Sequence, residues 1–238
     1  MPKHGKRFST ASATIDPAAG YEPREAIQLV KAGAVAKFDE TIEANYRLGI
    51  DARHADQNVR GTVSLPHGTG KSIRVAVFAA GDKAKEAEEA GADLVGGKEL
   101  AEAIQGGRAL DFDLTIATPD LMSEVGKVGK ILGPRGLMPN PKAGTVTFEI
   151  AKTVADFKAG KIEYRNDKAG NVHGVVGKAS FEVDQLLANL ATFTDEIVRS
   201  RPPSTKGRFI RNLSISSTMG PGVRIDGAAI EDLAKLAH

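Results

Sequence analysis

The stretch with the clearest chemical character spans residues 126–146, where many glycines and prolines accompany lysine and arginine without a single carboxylate. Glycine and proline interrupt both helices and strands, so the composition predicts a loop. The loop also contains Ile131, Leu132, Leu137 and Met138, which indicates order rather than disorder. Exposed backbone amides and cations suit the binding of phosphate groups. A solvated lid over a domain edge explains the composition equally well.

Two other segments have groups that could hold a nucleic acid. The turn 216–222 reads Ser-Ser-Thr-Met-Gly-Pro-Gly and offers hydroxyls, free amides and a flat thioether. Irregular RNA is held by such groups together with phosphate contacts and stacking, although a plain β-turn has the same composition. Residues 37–41 place Phe38 beside Lys37, and this ring could stack on a base or cap the core.

The segment Gly68–Ser72 resembles the end of a nucleotide-binding P-loop, but the match is incomplete. The full motif needs a glycine at position 65, which is Leu65, and a helix after the lysine and serine. Here an apolar run typical of a buried strand follows, at 73–80. We therefore expect a hinge between domains and no hydrolysis of ATP or GTP.

No other set of residues predicts catalysis, so we assign no catalytic residue. A Gly-x-Ser-x-Gly motif is absent. Three aspartates cluster near a predicted strand end, where α/β enzymes place their active sites; they are Asp111, Asp113 and Asp120. A helix cap at Asp120 and solvation of the loop account for them better. The chain has no cysteine, and its five histidines lack the spacing of metal ligands. We therefore expect no disulfide, metal or cofactor.

The charge and hydropathy of the chain restrict its location and its partners. No apolar run approaches the ~20 residues of a membrane span, and the basic N-terminus has no apolar segment of a secretory signal. We expect a cytoplasmic protein without a membrane partner. The net charge is only +2, yet residues 199–211 form a second stretch that is basic and lacks acids. Two such stretches suit a polyanionic partner.

The two ends of the chain contain half-buried strands. Alternation of apolar and polar residues predicts strands at 41–51, 61–66 and 209–218, a short one at 223–225, and a hairpin at 161–176. Helices are predicted at 21–31, 183–199 and 228–236, and residues 1–20 read as a mobile tail. The apolar side of the helix at 183–199 includes Val198.

The middle of the chain has a different rhythm. Apolar strands are predicted at 73–80, 93–95, 112–117 and 145–150, and they alternate with helices at 82–90, 98–105, 120–132 and 151–159. This alternation predicts a largely parallel sheet. The fold class is thus a discontinuous α+β domain with an inserted Rossmann-like α/β domain of three layers. The boundaries are 1–68 plus 160–238 for the first domain and 69–159 for the second, with hinges at 66–70 and 159–161.

Residues 129–146, GKILGPRGLMPNPKAGTV, resemble the signature of the L-one family of large-subunit ribosomal proteins, bacterial type. The resemblance covers nearly the whole chain and implies the same two-domain layout. It also implies a structural constituent of the large subunit that binds ribosomal RNA at the mobile stalk. Further implications are assistance in exit-site tRNA release, repression of its own operon mRNA, and a monomer off the ribosome.

The resemblance also implies which residues face RNA. The Thr218-Met219-Gly220 turn matches a recognised RNA-contact motif of the family, and we expect it beside Phe38 and the 165–168 turn. The full set implied by the resemblance is Lys37, Phe38, Thr41, Glu43, Arg165, Asn166, Lys168, His173, Ser180, Thr218, Met219 and Gly220. Lys130, Arg135 and Lys142 are weaker members.

One hypothesis of a different class stays open at this point, namely an α/β enzyme that acts on a phosphorylated small molecule. The basic loop would then serve as a phosphate clamp, and a general base should lie in one strand-end crevice.

Overall fold

The computed structural model describes residues 5–107 and 109–236, without the side chains of Ala55 and Lys142. It contains both helices and sheets, and the described residues form two compact units. The first unit contains the chain as far as Gly70 and again from Ile162 onwards. The second unit is the continuous segment Lys71–Lys161.

A four-stranded antiparallel sheet is the centre of the first unit. Its strands are β1 (Thr41–Leu48), β7 (Asn171–Lys178), β8 (Ile210–Ser217) and β9 (Val223–Ile225). Their order across the sheet is β7-β1-β8-β9. Strand β1 lies between two strands from the C-terminal part of the chain. The predicted alternation along β1 is confirmed, because Ile42, Ala44, Tyr46 and Leu48 are buried.

Helices share one apolar core with the buried face of this sheet. They are α2 (Pro23–Gly33), α8 (Val183–Arg199) and α9 (Ala229–Lys235). Helix α8 has the predicted bounds, and a capping box of Glu182 and Gln185 fixes its start. Its apolar side ends before Val198, which is exposed although the sequence pattern placed it inside.

Phe193 of α8 fits against the sheet because one residue of β7 has no side chain. A Cβ atom on Gly174 would lie 2.2 Å from the Phe193 ring. The same ring contacts Tyr46 edge-on at 5.1 Å between centroids and lies 5.7 Å from Tyr164. Close approach of helix and sheet therefore depends on Gly174.

The predicted hairpin at 161–176 is wrong. Strand β6 (Lys161–Arg165) pairs with β2 (Arg60–Ser64) in a separate two-stranded sheet, and only the bridge Asn166–Val172 connects it to β7. The reason lies in the core, because Tyr164 is buried beside Phe193 and its hydroxyl donates to Glu196 at 3.1 Å. Burial of this side chain draws β6 away from the larger sheet.

The prediction of a mobile tail is also wrong for the described part of residues 1–20. Residues 6–13 form helix α1 (Lys6–Ala13). Ile15 is buried in the core, and Tyr21 pairs with β9 by accepting from Asp226 and donating to Arg224. Helix α1 itself has no buried residue, so the anchoring rests on the residues that follow it, and its own pattern does not predict it.

The second unit has a parallel three-stranded sheet. Its strands are β3 (Val75–Phe78), β4 (Leu94–Gly96) and β5 (Leu114–Ala117), in the order β4-β3-β5. Its helices are α3 (Asp82–Glu89), α4 (Lys98–Gln105), α5 (Met122–Lys127), α6 (Gly129–Leu132) and α7 (Ile150–Ala159). Two apolar clusters include alternate residues of β3, so both faces of the sheet are buried as predicted.

Two predictions for the second unit need correction. Residues 145–150 are not a strand, because only Val146 bridges Ala117 before α7 begins at Ile150. The single helix predicted at 120–132 is a 3-10 turn followed by α5 and α6. The 3-10 turn that starts at Pro119 changes to α5 at Met122, and the second break falls at Val128, between Gly126 and Gly129.

Candidate nucleic-acid interface

The face of the four-stranded sheet opposite the core is polar. On β1 it presents Thr41, Glu43, Asn45 and Arg47. The register sets Asn45 between His173 of β7 and Ser214 of β8, and the ring Nδ1 of His173 lies 2.7 Å from Asn45 Oδ1. Amide, hydroxyl and imidazole groups thus form one flat surface, which we call the polar face.

At one end of this face, a buried carboxylate joins three segments of the chain. Glu40 is only 1 % exposed. Its two carboxylate oxygens accept from the backbone amides of Ala36 and Met219, each at 2.9 Å. The main-chain oxygen of Glu40 accepts from Ala179 at 2.8 Å. The loop before β1, the turn after β8 and the end of β7 therefore meet around one residue.

The environment of Glu40 keeps it ionised. Burial alone would raise its pKa, but the amides of Met219 and Ala36 donate to the charged form, and the net result is a lowered pKa. A charge-assisted pair of this kind is stronger than a neutral hydrogen bond. Glu40 is thus a fixed anion that orders the loop containing Lys37 and Phe38.

Threonine side chains complete the junction. The hydroxyl of Thr218 accepts from the amide of Thr41 at 3.0 Å and donates to the carbonyl of Thr41 at 3.3 Å. The hydroxyl of Thr41 accepts from Lys178 Nζ at 2.9 Å, which leaves its own proton available to a ligand. Ser180 donates from its hydroxyl to Asp39 at 2.7 Å. Thr218 and Ser180 therefore position the loops, whereas Thr41 keeps a free donor.

Large apolar side chains surround the junction on the solvent side. Phe38 is 56 % exposed, Met219 is 63 % exposed and Val35 is 52 % exposed. Six large apolar side chains are exposed among the described residues, and three of them are at this end of the sheet. We call Val35, Phe38 and Met219 the apolar rim. Exposed rings and thioethers of this kind are suitable platforms for bases.

Gly220 allows the turn after β8 to close. A Cβ atom there would lie 2.5 Å from the hydroxyl of Ser217, which is itself buried. The backbone of the turn can therefore approach β8 only without a side chain at this position.

The structure separates the candidate residues into two groups. Strand β1 pairs Thr41 with Lys178 at one end and Arg47 with Asn171 at the other. At ~3.3 Å per residue, the two ends are about 20 Å apart. The expectation that Thr218 lies beside the 165–168 turn is thus wrong, because that turn precedes Asn171. Glu43 and His173 lie between the two groups on the polar face.

At the far end, the candidate residues differ in their accessibility. Arg165 and Lys168 are exposed and make no ion pair with any described residue. Asn166 is only 8 % exposed; it accepts from the amide of Val59 at 2.8 Å and donates to the carbonyl of Asp167 at 2.9 Å. Asn166 therefore shapes the turn, and the two cations are the groups that a ligand can reach.

The basic loop is in the second unit and is ordered. Thr145 is buried, and its hydroxyl accepts from the amide of Asn140 at 2.8 Å. Lys130 and Arg135 are exposed, whereas the side chain of Lys142 is outside the described residues. These cations belong to a different unit from the polar face.

The aspartates near strand β5 have structural partners. Asp113 accepts from Lys71 at 2.7 Å and from the amide of Arg74 at 3.1 Å, and the Lys71 bond is the main reason that its pKa is lowered. Asp111 forms an ion pair with Arg74 at 3.6 Å. Across residues 5–107 and 109–236 there is no cluster of side chains suited to a metal ion. None of the described helices has the length and apolarity to span a membrane.

Sequence reasoning missed Glu40, the residue around which the site is built. A signal was present, because Glu40 has the same parity as Ile42 and Ala44, whose side chains are buried. A carboxylate in that register predicts a buried acid that needs donors. Its partners are far away in the sequence and could not be named.

A comparison with known protein families identifies the family of the chain. Residues 30–221 match the model of the Ribosomal protein L1p/L10e family, which covers most of the chain. Members of this family are structural, non-enzymatic components of the large ribosomal subunit that bind ribosomal RNA. The chain belongs to the Ribosomal protein L1p/L10e family.

Proposed function

We propose that this protein is the bacterial-type member of the family and binds the RNA of the mobile stalk through the polar face and the apolar rim. The observation that carries the proposal is the Glu40 junction, which holds exposed Phe38 and Met219 beside the free donor of Thr41. Bases would stack on the rim, and Lys37 would contact a phosphate. Arg165 and Lys168 would contact phosphates about 20 Å away.

We further propose two other RNA partners, exit-site tRNA, whose release the protein assists, and the protein's own operon mRNA, whose translation it represses. A single RNA-binding surface can serve RNAs of similar shape. Off the ribosome the protein would be a cytoplasmic monomer. The fold would be a discontinuous α+β domain, 1–68 plus 160–238, that is interrupted by a Rossmann-like α/β domain at 69–159. Lys130, Arg135 and Lys142 would add phosphate contacts from this inserted domain.

Two neutral substitutions test the proposed site. Thr218→Ala removes the acceptor of the Thr41 amide, which costs about 1–3 kcal/mol because the donor is left unpaired. Met219→Ala removes a platform worth about 1–3 kcal/mol by analogy with base stacking. Each should raise the Kd for a transcript of the stalk RNA about tenfold or more. The measurement is a binding titration at several salt concentrations.

The salt dependence of the binding constant distinguishes neutral contacts from contacts to phosphate. Neither neutral variant should change the slope of log K against log salt, whereas Lys37→Ala should reduce it by about one phosphate contact. Thr218→Ser and Met219→Leu are matched controls and should bind like the parent. Parent-like binding by both alanine variants, with circular dichroism spectra unchanged, would place the site elsewhere, with the basic loop as the next candidate.

Repression is tested separately. Expression of a reporter that carries the native leader of the operon should fall severalfold when the protein is supplied in excess. The Met219→Ala variant should repress less, because the same rim would hold both RNAs. An unchanged reporter, with binding to stalk RNA intact, would remove the repressor role and leave the ribosomal role in place.

A further inference from the structure

A groove of about 400 Å³ runs along helix α1 where it passes the end of α2. Ala11, Ala32 and Val35 contribute apolar surface to it, and Lys6 and Arg7 contribute charge. It lies entirely in the first unit. Neither the basic loop nor the polar face includes it, and α1 lies before residue 30, where the family match begins.

The groove is continuous with the end of the sheet at which the apolar rim lies. Three elements meet at Gly33: a Cβ atom there would lie 3.7 Å from Ala11 Cβ of α1 and 3.9 Å from Pro221 Cδ of the turn after β8. A Cβ atom on the neighbouring Gly220 would lie 3.7 Å from the carbonyl oxygen of Gly33. Val35 lines the groove and also belongs to the apolar rim, one residue before the amide that Glu40 holds.

The charge of the groove favours an anion. Lys6 and Arg7 are exposed, and neither side chain has an ion pair or hydrogen bond with a described residue. Helix α1 itself contains no acid. A phosphate could therefore approach both cations without breaking an existing ion pair. The apolar wall between them and Met219 suits the face of a base rather than a second charge.

We propose that this groove binds the nucleotides that flank the RNA segment held at the apolar rim. Val35 contacts a base, and Lys6 and Arg7 contact the phosphates beyond it. The inference rests on the proposed function, since it extends the same bound RNA from Met219 along α1. It adds Lys6 and Arg7 to the interface, both outside the family match, and continues from Val35 of the apolar rim.

The test uses the full chain and a transcript of the stalk RNA. The double variant Lys6→Ala/Arg7→Ala should raise the Kd about tenfold and reduce the salt slope by about 1.4–1.8. Alanine favours helices, so α1 should persist. The control Lys85→Ala/Lys152→Ala removes the same charge from exposed positions of α3 and α7 and should leave both quantities unchanged. Val35→Ala should weaken binding severalfold without changing the slope.

Hydroxyl-radical footprinting locates the effect. The double variant should lose protection at nucleotides adjacent to those that Met219→Ala exposes, while the central protection remains. If the parent binds and footprints the stalk RNA but the double variant has the same Kd, slope and footprint, the groove proposal is overturned. A loss of affinity in the Lys6→Ala/Arg7→Ala variant no greater than that in the Lys85→Ala/Lys152→Ala control would also overturn it. Failure of the parent itself to bind stalk RNA overturns the proposed function, and the groove proposal with it.

Discussion

Glu40→Ala is expected to weaken binding to stalk RNA about a hundredfold and to lower the free energy of unfolding by about 2–4 kcal/mol. The substitution leaves the amides of Ala36 and Met219 without their acceptor in a buried site. Each unsatisfied buried donor costs about 1–3 kcal/mol. The loop with Phe38 and the turn with Met219 would both lose their common anchor, so the two halves of the platform would no longer be held together.

Glu40→Gln should have an intermediate effect, because an amide side chain accepts from one backbone amide but presents donors to the other. Glu25→Ala is the charge control, since this exposed acid of α2 makes no hydrogen bond with a described residue. Chemical denaturation gives the stability and an RNA titration gives the affinity. If Glu40→Ala binds RNA as tightly as Glu25→Ala does, the junction does not organise the site.

The pH dependence of stability gives the same interaction an independent readout. The folded-state pKa of Glu40 is lowered from its ordinary value of 4.5, so its stabilisation is fully present above about pH 4.5. This stabilisation is lost as the pH falls from 4.5 through the folded-state pKa. The parent should therefore lose more stability than Glu40→Gln over that acidic range, and the two should have parallel profiles above it.

Gly174→Ala is expected to destabilise the first unit by about 3 kcal/mol or more. The new methyl group would lie 2.2 Å from the Phe193 ring, which is fully buried against Tyr46. Either α8 moves away from the sheet or the ring leaves its position, and both loosen the core. Thermal and denaturant unfolding would measure the change.

A second substitution tests whether the ring is the cause. Adding Phe193→Leu to Gly174→Ala should recover part of the lost stability, although Phe193→Leu alone removes apolar contacts and should destabilise. Gly222→Ala is the matched control, because a Cβ atom there would have no neighbour within 4 Å. Equal destabilisation by Gly174→Ala and Gly222→Ala would contradict the packing argument.

Local patterns in the sequence predicted most elements but not all of their partners. Strand β1 was recognisable from its alternation, and α8 from its apolar stripe and its stop at Pro202 and Pro203. The predicted hairpin at 161–176 was wrong because β6 pairs with β2, where Tyr164 is buried. No pattern within residues 161–176 predicts this pairing. The strand predicted at 145–150 failed because the chain enters α7 after a single bridge.

The family resemblance named residues of the candidate site but did not place all of them correctly. Phe38 and Met219 came from that resemblance, whereas their residue types alone left a core cap and a plain β-turn open. Their meeting depends on Glu40, which contacts Met219 across 179 positions of the sequence. Placing Arg165 and Lys168 at the opposite end requires the register of β1 against β7. Such non-local pairings are fixed by the whole core rather than by any segment.

The hydrogen bonds between Thr41 and Thr218 also set an order of events during synthesis. The two residues are 177 positions apart, and chains grow at about 5–20 residues per second, so about 10–35 s separate their appearance. Both partner strands of β1 follow the second unit, Lys71–Lys161, in the sequence. The whole second unit is therefore synthesised before β1 can pair with either strand. A chain that stops before Met219 lacks half of the platform. The Glu40 junction and the apolar rim can therefore form only after Met219 has been synthesised.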